Sequence, residues 1–326
     1  AMLLSLSAFA DGGRSLPVVP YPQDVEFTKG SFNSCGAEVL ADGLPSDMKA
    51  AVDAFSSLLK SASGDRSGSS SIIFHADSSL AAEEYSMNIG RKRIDVYSSS
   101  YNGTLYAINT LKQLMPPGIY TGTYDEAAEW RIPCVSIKDR PRFGYRGALL
   151  DCSRHFFSIE DVKKYIDVLA IYKLNRFHWH LTDDHGWRVE IKKYPLLTEI
   201  GAWRNGTMIG WDADSNDGIR YGGFYTQEQL CDVVAYAAER GIEIVPEIDL
   251  PAHMVSALAA YPYLGCTGGP YDLMTVWDIA KDVLCVGKET SFEFIEDVLS
   301  EICEIFPYEY IHIGGDECPK VRWEEC

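Results

Sequence analysis

Ile242-Glu-Ile-Val-Pro-Glu-Ile-Asp249 is a short apolar run with carboxylates toward its end, and its neighbours determine what it means. It follows a helical stretch that opens at Thr226-Gln-Glu-Gln229 and stops near Gly241, so it reads as a strand entered from a helix. Working outward, the same alternation recurs. Arg146-Gly-Ala-Leu-Leu-Asp151 is a strand, followed by a helix from Ser158 through Tyr172, whose Ser158-to-Asp161 spacing resembles a capping box. Arg176 to Leu181 is the next strand; after Asp249 come a helix over Ser291–Phe306 and a fourth strand, Tyr310-Ile-His-Ile313. Strands in series with helices between them predict a parallel sheet with right-handed crossovers. Polar residues gather where each strand ends: Asp151 and Arg154, Asp183 and Asp184, Glu247 and Asp249, Asp316 and Glu317. A (β/α)8 barrel keeps its chemistry on that face. A doubly wound sheet would share the edge, but no G-x-G-x-x-G follows the first strand, so the barrel is favoured.

Upstream the rhythm is different. Ser71-Ile-Ile-Phe74 reads as a strand, as do Glu84–Ile89 and Arg93–Tyr97 around a Gly90-Arg-Lys92 turn. One helix is capped by Ser46 or Asp47, with Ala51, Val52, Phe55, Leu58 and Leu59 at helical spacing, and a second starts at Asn102 and stops at Pro116-Pro117. Residues 61–71 form a Gly/Ser-rich loop between them. The expected fold class is therefore α/β: a small α+β domain over 16–141, then a TIM-type barrel over 142–326 with about four βα units present. Residues 1–15 are an export remnant or a disordered apolar start.

A net charge of −18, from 47 acidic and 29 basic residues, opposes nucleic acid and anionic bilayers, whereas a neutral sugar polymer feels no such repulsion. No apolar run is long enough to span a membrane. Met2–Ala10 ends in Ala-Phe-Ala, which suits a signal-peptidase site and predicts a secreted or periplasmic protein. The nine cysteines contain no C-x-x-C pair, and their odd number leaves at least one free thiol. Cys266 and Cys285 flank a Gly- and Tyr-containing stretch and are the pair expected to bond, with two reduced thiols as the alternative.

Gly314-Gly-Asp-Glu-Cys318 carries the sharpest chemical signal. Adjacent carboxylates at a strand's mouth repel, which favours one keeping its proton, and a retained proton can be delivered to a leaving oxygen. A solvated acidic loop would have the same residues; the barrel position favours catalysis. Arg154 offers fixed donors suited to vicinal hydroxyls, or else a structural ion pair. His253, just past a strand with the carboxylates Asp183 and Asp184 past the neighbouring one, reads as half of an Asp–His relay.

Two other classes compete. His178, His180, Asp183, His253 and Asp316 are donor types for a metal-dependent hydrolase on the same barrel. Regular strand alternation, however, puts His178 and His180 on the face opposite Asp183. A non-catalytic carbohydrate-binding protein would use Trp179, Trp187, Trp203 and Trp211 as platforms but would leave the converging carboxylates unexplained.

Four motifs in order resemble the β-N-acetylhexosaminidases of glycoside hydrolase family 20: Arg146-Gly…Asp151-x-x-Arg-His-Phe156, Asn175-x-Phe-His-Trp-His-Leu-Thr-Asp-Asp184, Pro246-Glu-Ile-Asp-x-Pro-x-His253 and His312-Ile-Gly-Gly-Asp-Glu317. The preceding module is similar to the family's accessory domain. The resemblance implies exo-acting removal of terminal N-acetyl-β-hexosamine from glycans by a substrate-assisted retaining mechanism, an exception to the two-carboxylate scheme. It implies Glu317 as general acid and then base, and Asp316 as the group orienting the substrate's acetamido nucleophile. Arg154 would bind ring hydroxyls, Asp183 and His253 would support Glu317, and no metal or organic cofactor is implied. His185 departs from a position where the family commonly has Gln. A closed barrel takes about 250 residues, more than follow Tyr145, and the family's acetamido pocket comes from later strands. The chain is thus expected to be a fragment with little or no turnover, self-associating through its open barrel edge.

Overall fold

A computed structural model describes residues 14–326; the export segment expected over 2–10 lies outside the described residues. Two compact units divide the described residues, 14–144 with 170–173, and 145–169 with 174–326.

The first unit contains β1 (Asp24–Asn33), β2 (Glu38–Asp42), α1 (Ser46–Ala62), β3 (Ser71–Ala76), β4 (Tyr85–Ile89), β5 (Arg93–Ser98), α2 (Tyr101–Gln113) and β6 (Arg131–Asp139). Its mixed sheet has the order β1-β6-β4-β5-β3-β2. The pairs β1/β6, β6/β4 and β4/β5 are antiparallel, while β5/β3 and β3/β2 are parallel. Period-two burial of Ile72 and Phe74, Tyr85, Met87 and Ile89, and Ile94 and Val96 turns one face of each of these strands into a core. The matching helix stripe is Met48, Val52, Phe55, Leu59 and Ala62.

Three details differ from the sequence expectation. Pro45, not Ser46 or Asp47, is the α1 N-cap and makes no side-chain cap bond; Pro suits a helix entry because its φ is preset. Helix α2 is capped by Ser100, which accepts from the Gly103 N–H, ahead of Asn102. Strands β1, β2 and β6 escape the pattern: β1 shifts register between Phe27 and Ser31, β2 is a five-residue edge strand, and β6 contains Pro133.

In the second unit, β7 (Gly147–Asp151), α3 (Ile159–Ile171) and β8 (Arg176–Asp183) lead into an excursion of short elements. These are β9 (Gly186–Trp187), α4 (Leu196–Glu199), β10 (Trp203–Asn205), β11 (Met208–Ile209), β12 (Asp212–Asn216) and β13 (Arg220–Gly222). Then come α5 (Gln227–Ala238), β14 (Glu243–Ile248), α6 (Val255–Ala260), α7 (Glu289–Ile305) and α8 (Val321–Glu325). Strands β7, β8 and β14 pair in parallel in that spatial order, an arc of consecutive barrel strands. Helix α3 opens with Ser158 Oγ accepting from the Asp161 N–H, and α5 opens on a complete Thr226/Gln229 capping box. Phe177, Trp179 and Leu181 of β8 are fully buried, with Phe177 against Tyr165 of α3 and Trp179 against Tyr225 and Phe306.

The expected fourth strand, Tyr310–Ile313, is reduced to one bridge, His312 beside Glu247. Its hydrogen bonds are strand-like: His312 N–H to Pro246 O, Ile248 N–H to His312 O and Leu250 N–H to Ile313 O. Gly314 and Gly315 then take φ of +63° and +100° and turn the chain out of the ladder. A side chain at Gly314 would overlap the Asp249 carboxylate.

Arg188 is fully buried and holds the excursion to the sheet. Its guanidinium donates to the carbonyls of Cys152, Ser153, Ala202 and Gly223 at 2.6–3.2 Å. Burial, aided by the like charge of Arg204, lowers its pKa to about 10, still charged at neutral pH. Gly186 must be glycine because a Cβ there would strike this guanidinium. Arg188→Met leaves buried carbonyls without donors and should cost roughly 3–5 kcal/mol. Arg188→Lys, which keeps the charge but not the fork, should recover only part. Urea midpoints in the order Arg, Lys, Met are expected; an unchanged midpoint for Met would refute the role.

Candidate active site

The parallel register builds the site. Asp151 pairs with His180, His180 with Glu247, and Glu247 with His312, so one cross-strand row ends the sheet. With Leu149, Arg154, His178, Gly314 and Asp316 these residues line a groove of about 380 Å³. Glu247 is its hub: Oε2 accepts from His178 Nε2 at 2.6 Å and His180 Nδ1 at 2.7 Å, and Oε1 lies 3.0 Å from His312 Nδ1. Burial alone would raise the Glu247 pKa, but the bonds from His178 and His180 outweigh it and hold the carboxyl below its usual range.

His180 shows the same competition from the other side. Burial would lower its pKa, yet Asp183 and Glu247 raise it to about 9, so it is an imidazolium at neutral pH. Both ring nitrogens then donate, Nε2 to Asp183 Oδ2 at 3.0 Å. The Arg154 Nη1 that lies 3.0 Å from the same Nε2 is a close neighbour rather than a donor to it.

Asp183 does not lie across the strand from His180, as regular alternation predicted. Glu247 pairs with His180 but the next residue, Ile248, pairs with Thr182, so Leu181 is an extra residue in β8. This bulge reverses the side-chain phase and brings Asp183 to the histidine face. Buried Asp183 also sits 2.6 Å from Arg154 Nη1 and 3.5 Å from His253 Nδ1. His180, His185, His253 and Arg154 together overcome its burial and depress its pKa strongly. Arg154 is further bound to Asp151 Oδ2 at 3.1 Å, while its buried Nε has no partner among the described residues.

His253 connects two parts of the site. Nδ1 is 3.1 Å from Asp184 Oδ2 and Nε2 is 3.3 Å from Glu317 Oε2, close but off the line of a hydrogen bond. Bonds to Asp183 and Asp184 outweigh burial and raise its pKa to about 11. His253 and Glu317 both adopt left-handed backbone, φ 52° and 46°, a conformation disfavoured for such residues and enriched at functional sites. Glu317 is half exposed, and Asp316 faces the groove beside it. Asp249 Oδ1 accepts from the Gly315 N–H at 3.2 Å; burial pushes this carboxyl up to about 7 against that bond, and the Asp316 charge adds to the rise.

Arg154, Asp183, His253 and Glu317 thus form one connected chain, with Asp316 adjacent at the groove wall. Sequence reading missed Asp184 as the closer partner of His253, and it missed Glu247 and Asp249 as organising groups; their signal was only their place at the end of a strand. The donors of the metal reading do not meet in one set: His178 lies with Glu247 and His312, His180 with Asp183 and Asp249, Asp183 with Asp184 and His253, and His253 with Asp249 and Asp316. Positive charge beside Asp183 already comes from Arg154. Trp179 and Trp187 are core and cannot be sugar platforms; Trp211 is 87% exposed and edge-on to Trp277, whose ring lies 5.7 Å from the Arg154 guanidinium carbon.

Comparison with known proteins agrees with this geometry. Residues 143–326 match the family model described as glycosyl hydrolase family 20, catalytic domain, and residues 15–140 match that family's domain 2. The chain is 44% identical over 265 residues to a beta-hexosaminidase of Porphyromonas gingivalis, covering 81% of the chain and 33% of the relative. It is 42% identical over 257 residues to one from Vibrio furnissii, covering 78% and 41%. The chain therefore spans well under half of these relatives. Among solved structures, the beta-N-acetylhexosaminidase from Streptomyces coelicolor A3(2) superposes with a TM-score of 0.83 at 34% identity, over 94% of this chain and 62% of that one. An exo beta-N-acetylglucosaminidase from Vibrio harveyi, in complex with N-acetylglucosamine, gives 0.76 at 38% identity, over 95% and 49%.

Proposed function

Since the chain belongs to glycosyl hydrolase family 20, we propose that it supplies the acid–base and hydroxyl-binding side of an exo-acting β-N-acetylhexosaminidase. The observation that carries this reading is the Asp184–His253–Glu317 chain opening on a groove that also holds Arg154 and Asp316. In the proposed reaction the substrate's acetamido oxygen attacks the anomeric carbon while Glu317 gives its proton to the leaving oxygen. The charged His253 then attracts the carboxylate that remains, which next takes a proton from water as the oxazolinium opens. Asp316 orients the acetamido group and balances its growing positive charge. Arg154, on the wall of the groove, binds sugar hydroxyls. N-acetylglucosamine, which the Vibrio harveyi enzyme binds, is a fitting terminal sugar. Export to the periplasm or medium is part of the same proposal.

The test is an assay of the natural full-length protein containing this sequence on β-linked N-acetylglucosamine oligomers. Release of single sugars from the non-reducing end is expected. Internal cleavage, or binding without turnover, would overturn the reading.

A further inference from the structure

Away from the groove, three sulfurs converge. The Sγ atoms of Cys266, Cys285 and Cys326 all lie within 4.8 Å of one another, and Cys285 and Cys326 are 3.8 Å apart. We propose that these cysteines form a thiolate site for a zinc-class divalent ion that ties together three segments of the second unit.

The spacing favours a metal over a disulfide. Thiolates about 2.3 Å from a tetrahedral ion stand roughly 3.8 Å from each other, whereas a disulfide needs about 2.05 Å. All nine cysteines are free thiols in this structure, including the Cys266–Cys285 pair expected to bond. A disulfide would use two of the sulfurs and leave the third thiol idle beside it; a metal uses all three. Soft sulfur donors select zinc over magnesium or calcium. The fourth ligand would come from solvent.

Each ligand is carried by a segment held independently of any ion. Gly265 and Leu284 form an antiparallel bridge, and the Cys285 N–H donates to Leu264 O at 2.9 Å, which sets Cys266 beside Cys285. Lys288 Nζ donates to the carbonyls of Tyr263 and Gly265 and fixes that loop. Helix α8 docks through Trp323 Nε1 to Leu284 O at 2.9 Å and Arg322 Nε to Asp282 Oδ1 at 2.7 Å, which presents Cys326. Such preorganisation lowers the ordering cost of binding. The bound ion would be structural: Leu284 N–H also donates to Pro251 O, so the clamp braces the loop that ends at His253.

The test uses the natural full-length protein, loaded with zinc, gel-filtered and analysed for metal. About one zinc per chain is expected in excess of any bound elsewhere. Cys285→Ser should lower retained zinc by roughly tenfold or more, and Cys231→Ser, an exposed thiol on α5, should not. Should Cys285→Ser fail to fold, Cys326→Ser, whose side chain is exposed, serves instead. Cobalt substitution adds a spectroscopic readout, a thiolate charge-transfer band present in the parent and lost in Cys326→Ser. Absence of retained zinc, equal zinc in the Ser variants, or a Cys266–Cys285 disulfide in the unreduced peptide map would overturn the proposal.

Discussion

On matched aryl glycosides, the natural full-length protein should hydrolyse the N-acetyl-β-glucosaminide and leave the plain β-glucoside essentially untouched. The expectation follows from which carboxylates in the groove are free to attack. Asp151 is committed to Arg154, and Glu247 to His178 and His180. Asp183 is buried under Arg154 and His180. That leaves Asp316 and Glu317, adjacent in sequence, with Glu317 needed as the proton donor. A nucleophile built into the substrate removes the need for another from the protein. A well-placed internal nucleophile is worth roughly 7–11 kcal/mol of barrier, far more than one lost hydrogen bond at about 1 kcal/mol. Loss of a mere contact would leave the glucoside within about tenfold. Comparable rates on the two sugars would overturn substrate assistance and point to Asp316 as an ordinary nucleophile.

The two carboxylates should separate by leaving group. Glu317→Gln should lower kcat by about 10²–10⁴ on substrates with poor leaving groups, and by much less on a nitrophenyl glycoside, which departs without a proton. Asp316→Asn should depress both to a similar degree, because the acetamido oxygen displaces the leaving group in each. The structure gives these residues different surroundings, which is why different profiles are expected. Glu317 faces His253, whose charge persists through neutral pH, while Asp316 lies on the groove wall near the buried carboxyl of Asp249. Azide should restore turnover to Glu317→Gln on activated substrates, since it needs no general base. Identical leaving-group profiles for the two variants would refute the division of labour.

Much of the architecture is legible before any coordinates. Strands β7, β8 and β14 are read from apolar runs with polar ends, and α3 and α5 from their caps, because those signals are local. Other features are not. Asp183 reaches His180 only because Leu181 is an extra residue, and a bulge has no composition of its own to betray it. Glu247 becomes a hub through parallel register, which sets His180 and His312 on either side of it from far away in sequence. The relay to His253 was assigned to Asp183 from the family pattern, while the shorter contact is to Asp184, a distinction of 3.5 against 3.1 Å that no pattern resolves. The extent of strand four is not legible, because Tyr-Ile-His-Ile reads as β wherever it stands and the two glycines after it decide its length.

Arg188 has a consequence for the order in which the molecule is made. Its acceptors lie on both sides of it in the chain, at Cys152 and Ser153 upstream and at Ala202 and Gly223 downstream. A ribosome delivers the guanidinium before the later carbonyls exist, so a nascent chain that stops short of Gly223 carries a buried-type cation with only part of its coordination. Contacts that close large loops are paid for in chain entropy before they return anything. The segment bearing Arg154 should therefore stay protease-sensitive during synthesis until residue 223 has cleared the exit tunnel, and then become resistant in one step.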